Sequence, residues 1–292
     1  MRLFRSSTTC SHLALLEVDQ TTLGLIQENF ANSMGILAKR SGGSVAETDG
    51  LLMYASASPN PFPWNGAVRK APGLTADEID ERTAAFFNPL GHGFALCALE
   101  GLDDDLIAAF GEADFSAPEM TIDHPVEIVA LPDDAELKPV TNEKTRIDFL
   151  DAVGESFETL GESRETWLSC YPDVGSLANP QSVAMLIYHD GVAATGGMYY
   201  RTEDTAEVLH IGTRPSFRGN GHGQAVTAAL TKPCIRPWGP AGFTASNTDG
   251  SADLPTTGIR NGFDLPLLSE GAGMTGKSFN PESMCDELEA FR

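Results

Sequence analysis

The chain has 292 residues, a length that suits two domains better than one, and it carries 41 Asp and Glu against 19 Lys and Arg, a formal net charge of −22. That field repels polyanions and anionic membrane surfaces, so the composition excludes nucleic acid and membrane as partners. With 41% hydrophobic and 8% aromatic residues the chain has enough apolar material for packed cores, and the charge does not signal disorder.

No apolar run approaches the ~18 residues of a spanning helix. The first 16 residues hold Arg2, Arg5 and several Ser/Thr without an acid, a weak likeness to a transit peptide beside the plainer reading of a ragged terminus. From Gln20 to Ala38, apolar residues at 23, 26, 30, 34 and 37 predict a helix. Leu51 to Ala57 predicts a strand, followed by a rigid turn in which Pro59, Pro61 and Pro63 remove backbone donors. Thr75-Ala-Asp-Glu78 is a capping box opening a second helix. Phe94 to Leu99 reads as a buried strand and Asp103 to Phe110 as a short helix with acids in its first turn. The proline-containing stretch 118–134 marks the domain boundary, placed at 125/126.

The second half begins with a strand at Glu136 to Val140 and a helix around Ile147 to Phe157. Ser182 to His189, Val192 to Arg201 and Ala206 to Thr213 follow as a three-stranded meander, its first turn set by Asp190-Gly191 in type I′ geometry. A loop at Arg214 to Arg218 leads into a glycine-rich turn and an apolar helix from Gly223 to Leu230, ended by Lys232-Pro233; Gly242 to Ser246 is a further strand. The order is α+β. Five cysteines without a Cys-x-x-Cys pair imply reduced, buried thiols in a cytoplasmic protein. Six histidines without ligand spacing indicate no metal site.

The chemistry concentrates in Val208-Leu-His-Ile-Gly-Thr-Arg-Pro-Ser-Phe-Arg-Gly-Asn-Gly-His-Gly223. Closely spaced glycines before a helix let backbone N–H groups converge on a phosphate, and the helix start adds its positive end. From 206 to 248 the only acid is Glu207, against Arg214, Arg218, Lys232 and Arg236, so this stretch reverses the sign of the chain. A dinucleotide fingerprint would need glycine where Gln224 stands, and the Lys-Ser/Thr of a P-loop is missing.

What remains is Arg-x-x-Gly-x-Gly, met by Arg218, Gly221 and Gly223. It resembles the coenzyme A loop of the GNAT superfamily of acyl-CoA N-acyltransferases, over roughly residues 182 to 263 with a start near 136. The resemblance implies a GNAT-like α+β fold, a mixed, mostly antiparallel sheet flanked by helices, in two tandem copies: a degenerate N-terminal domain at 1–125 that lacks the loop, and an acyl-CoA-binding catalytic domain at 126–292. It implies an acetyl-CoA-dependent N-acetyltransferase, with acetyl-CoA as co-substrate, no metal, and a primary amine as acceptor; the acidic remainder of the chain favours a cationic one. A homodimer fits as well.

The resemblance assigns coenzyme A to backbone groups of Ile211, Gly212 and Thr213 and to Arg218, Gly219, Asn220, Gly221, His222, Gly223 and Asn247, with the His222 side chain facing solvent. The family's general base sits eleven residues before the loop's first conserved position, here Glu207. Strand alternation puts Glu207, Leu209, Ile211 and Thr213 on one face and His210, the rival base, on the other. The family's general-acid tyrosine, five residues before the phenylalanine of Asn261-Gly-Phe263, is Gly258 here. Tyr199 and Tyr200 are the substitutes on the neighbouring strand, and in the family the Gly-Phe pair ends a helix turn. The missing tyrosine supports an alternative: a non-catalytic acyl-CoA-binding sensor or regulatory module.

Overall fold

The computed structural model describes residues 20–61, 63–111, 118–122, 131–158, 162–202, 205–235, 243–246, 260–264 and 267–270. Asn247 and Gly258 lie outside them. Two sheets carry the fold, in the orders β1-β2-β3-β4-β12 and β11-β5-β10-β9-β8-β7-β6.

The first half supplies α1 (Gln20–Arg40), β1 (Ser44–Thr48), β2 (Leu51–Ala55), β3 (Asn65–Arg69), α2 (Ala76–Phe87), β4 (Phe94–Cys97), α3 (Asp104–Phe110) and β5 (Pro118–Ile122). The second supplies β6 (Ala135–Pro139), α4 (Glu143–Phe157), α5 (Arg164–Cys170), α6 (Val174–Leu177), β7 (Ser182–His189), β8 (Val192–Arg201), β9 (Ala206–Thr213), α7 (His222–Ile235), β10 (Phe243–Ser246), β11 (Arg260–Asp264) and β12 (Leu267–Glu270).

The two halves repeat one plan. β1-β2-β3 is an antiparallel meander whose third strand pairs in parallel with β4 after the α2 crossover. β7-β8-β9 is the same meander, and β9 pairs in parallel with β10 after α7. The sheets also exchange strands. β5, from before residue 126, pairs with β10 and β11, while β12, from the C-terminal end, pairs with β4. Asn261-Gly-Phe263, expected at a helix end, therefore lies in strand β11, where backbone pairing with β5 holds it.

Local signals explain most elements. The Thr75–Glu78 capping box forms as spelled. Asn142 caps α4 in the same way, which starts that helix four residues before its apolar face does. Asp190 and Gly191 both take positive φ, as the type I′ turn requires. α7 runs through Pro233 to Ile235 instead of stopping at it. A proline this close to a helix end disturbs only the turn before it and leaves the last residues free to stay helical.

One core joins the two halves. Phe30, Met34, Tyr54 and Trp64 from the first pack with Phe149, Val153, Trp167, Tyr171, Tyr200 and Leu209 from the second. The opposite face of the second sheet packs Val208, Ala206 and Ile187 against Val226 and Leu230 of α7. Among the described residues no helix is long and apolar enough to cross a membrane. Cys97 and Cys170 are buried thiols outside any disulfide.

Candidate active site

β9 and β10 pair over Ala206, Glu207 and Val208 alone. Beyond Val208 the β10-side edge of β9 has no strand partner among the described residues. On the other edge Met198 faces Leu209 and Gly196 faces Gly212, so His210 and Ile211 together oppose Gly197. His210 takes φ +55°, the left-handed value at which a β-bulge inserts its extra residue.

The bulge corrects the alternation inferred from sequence. Glu207 and Leu209 face the core shared with the first half, and the extra residue turns His210 onto that same face. Its ring stacks on Trp64 (centroids 5.8 Å apart, 29° between planes) and meets the edges of Trp167 and Tyr171. Ile211 is carried to the α7 side with Val208. Gly212 returns to the α4 face, where an added Cβ would meet Ser156 Oγ at 2.1 Å. Tyr199 lies on the face away from Glu207. It pairs with Val208 and packs on the α7 side, whereas Tyr200 pairs with Glu207 and lies in the core beside it.

Glu207 is fully buried, with neither carboxyl oxygen hydrogen-bonded. Burial pushes its pKa up to about 8; Ser33 of α1 opposes this from nearby without reaching hydrogen-bond geometry. His210 is pushed the other way, to about 3, because burial disfavours the imidazolium. Around them Ser33 Oγ, Trp167 Nε1 and His210 Nε2 are buried without hydrogen-bond partners, and the buried Tyr171 and Tyr200 hydroxyls approach each other without reaching good hydrogen-bond geometry. Such a cluster of orphaned polar atoms marks a place where water or a polar ligand belongs. A second carboxyl borders it: Glu162 accepts a hydrogen bond from Trp64 Nε1 at 2.7 Å, and burial raises its pKa to about 6.

Trp64, Ser33, Tyr54 and Glu162 were missed from sequence. The first three belong to the N-terminal half, and nothing in a linear pattern brings that half over the Glu207 face.

The glycine-rich loop follows β9. Arg218 folds back, donating from Nε to Thr213 O at 3.2 Å and from Nη2 to Ser156 O at 3.4 Å. Asn220 Nδ2 donates to Phe217 O. Gly219 and Gly221 sit at φ +79° and +73° with open space where a Cβ would be. The first helical bond runs from Ala225 N–H to Gly221 O. The N–H groups of His222, Gly223 and Gln224 come before it, without intrahelical acceptors. His222 does not face solvent. Its side chain is 1% exposed, and Nε2 lies 3.0 Å from His189 Nδ1.

The sequence matches none of the family models compared and none of the curated proteins. Solved structures share its fold. A GCN5-related N-acetyltransferase from Kribbella flavida aligns over 85% of this chain and 96% of its own, with TM-score 0.63 and 17% identity. One from Sphaerobacter thermophilus aligns over 78% and 80%, at 0.53 and 13%. A putative acetyltransferase of the GNAT family from Novosphingobium aromaticivorans aligns over 86% and 99%, at 0.51 and 15%. The chain has the GNAT fold. The bulged strand β9 leads directly into the glycine-rich start of α7, with Glu207 buried at the end of β9 that pairs with β10.

Proposed function

We propose that the chain is an acyl-CoA-dependent N-acyltransferase that moves an acetyl group to a primary amine of a small cationic acceptor. The observation that supports this is the coincidence, on β9 and in the loop after it, of a strand edge without a partner among the described residues beyond Val208, a glycine-rich helix start whose first N–H groups lack intrahelical acceptors, and a buried carboxyl of raised pKa. The N–H groups at 222–224 and the residues Gly219, Asn220, Gly221 and Arg218 would hold the pyrophosphate of coenzyme A. The open edge at Ile211, Gly212 and Thr213 would bond the pantetheine amides. Coenzyme A supplies an activated thioester and a thiolate leaving group.

Glu207 serves as the base. Its pKa near 8 lets it accept a proton from an ammonium and hold it through the reaction. The neutral amine then attacks the thioester carbonyl; as the carbon–sulfur bond breaks, the nitrogen gives up its second proton, which Tyr200, on the same face, would relay to the departing thiolate. His210, with its pKa near 3, remains neutral and contributes Nε2 as a hydrogen-bonding atom. Two carboxyls, Glu207 and Glu162, in a pocket lined by Trp64, Trp167 and Tyr171 suit an ammonium group. Incubation with acetyl-CoA and a panel of small amines, followed by free thiol release, tests the reading. Release well above the amine-free rate supports it, and none with any amine refutes it. Binding without turnover is the second reading, favoured by the complete burial of Glu207 beneath α1; it predicts coenzyme A binding and no thiol release.

We further propose the division into a degenerate copy at 1–125 and a binding copy at 126–292. The repeated strand plan supports it. At the equivalent helix start in the first half, Thr75 and Glu78 cap α2 themselves, Asp77 and Glu78 place negative charge there, and Arg69 is held by Asp103 and Asp105. No anion is invited to such an end. The buried thiols of Cys97 and Cys170, outside any disulfide, support a cytoplasmic setting.

A further inference from the structure

We propose that His189 and His222 form a proton-sensitive buttress under the glycine-rich loop, making His222 a positioning residue that strengthens anion binding as pH falls. This rests on the reading of that loop as the coenzyme A site.

Both ends of the loop lean on one ring. His222 opens α7 and meets His189 Nδ1 at 3.0 Å, and the Phe217 ring lies 5.6 Å from the same imidazole. His189 ends β7, and its Nε2 faces Asp134 Oδ2 at 3.4 Å. Asp190, in the turn after β7, also approaches: one atom each from Asp134, His189 and Asp190 fall within 4.8 Å of one another. The charged groups facing the pair are thus two carboxylates, both on the side away from the loop.

Tautomer logic orders the protons. His222 Nδ1 is buried and has no partner. A bare lone pair there costs less than an orphaned N–H. So His222 donates from Nε2 to His189 Nδ1, and His189 donates from Nε2 to Asp134. One further proton can enter only at His222 Nδ1. Burial and the neighbouring His189 hold that protonation below the usual histidine range, while Asp134 favours it. A phosphate at the start of α7 favours it further, because the imidazolium would lie at the helix end that holds the anion. By linkage, ligand and proton must then favour each other equally. The free chain binds with His222 neutral at pH 8, and affinity rises as pH falls toward 6.

The test is calorimetric titration of the full chain with coenzyme A at pH 8, 7 and 6, for wild type, His222→Gln and His189→Gln. Gln at 222 keeps a donor toward His189 but cannot take a proton. Wild type should gain at least about fivefold more affinity from pH 8 to 6 than either variant. The ligand's own phosphate titration is common to all three and cancels. The His222 ring-proton resonance should also titrate at higher pH with coenzyme A bound. Parallel pH curves for wild type and both variants, with coenzyme A bound throughout, overturn the buttress and leave the coenzyme A reading standing. No binding at any pH overturns both.

Discussion

Replacing Glu207 with Gln should stabilise the protein while disabling it. The carboxyl has a pKa near 8 in the folded chain and 4.5 as its ordinary value. Between those limits the folded chain keeps a proton that the unfolded chain releases. Stability therefore falls as pH rises through this window. At ~1.36 kcal/mol per pH unit the full cost over about 3.5 units is about 5 kcal/mol, of which about 3 kcal/mol is already present at pH 7 and less than about 1 at pH 5. Gln is nearly isosteric with the protonated carboxyl and leaves the same neighbours unpaired. Urea unfolding from pH 5 to 8.5 should show Glu207→Gln about 3 kcal/mol more stable than wild type at pH 7, with the gap closing toward pH 5. The same variant should lose about 10²–10⁴ in acyl transfer. Stability curves that run parallel, or a variant less stable at pH 7, would refute the burial argument. Unchanged turnover would remove Glu207 as the base.

Other residues give independent tests. The wild-type rate of thiol release should climb with pH toward about 8 as Glu207 ionises; a rate that is flat from pH 6 to 8.5 contradicts a base of that pKa. His210 works in the opposite sense on stability. Its pKa is depressed to about 3, so the unfolded chain binds the extra proton and stability is lost below about pH 6.5. His210→Asn, which tolerates the left-handed backbone, should lack about 2 kcal/mol of that loss at pH 5; equal acid sensitivity in the two proteins would argue against a buried neutral imidazole. Gly212→Ala drives a methyl into Ser156 and Val153 and should cost about 1–3 kcal/mol in urea unfolding, whereas a neutral effect would mean that β9 and α4 are not in close contact. Arg69→Ala strands the buried Asp103, which also accepts from Gln27 and from Leu99 N–H. A loss of about 3 kcal/mol is expected, and no loss would contradict the pairing.

The elements and the loop were legible because their signals are local. Apolar spacing marked α1, the Asp190-Gly191 pair set the β7–β8 register, and Arg218, Gly221 and Gly223 marked the loop before α7. Short β1 and β3 carried no such pattern: Ser44–Thr48 is a polar edge strand, and Asn65–Arg69 is buried along its whole length and does not alternate. The site failed to read through at one residue. Period-two alternation is a sound rule for a regular strand, and His210 breaks it by taking a bulge conformation that its sequence does not announce. That single insertion reversed the expected face of His210 and of every β9 residue after it, Ile211 through Thr213. Tyr199 was a choice between two adjacent tyrosines, and only the pairing of Tyr200 with Glu207 decides it. The remaining gaps are long-range. His222 meets His189, and Trp64 meets His210, across separations that only the folded chain closes. The strand exchange between the sheets, β5 one way and β12 the other, is equally invisible in the linear order.

The central claim is that one glycine-rich loop, on the second half alone, holds coenzyme A. Calorimetric titration of the full chain with acetyl-CoA measures it directly. The account predicts one site per chain, weakened at least about tenfold by Arg218→Ala, because that side chain ties the loop to Thr213 and Ser156. Two sites per chain, affinity untouched by the Arg218 change, or no heat at millimolar ligand would contradict it.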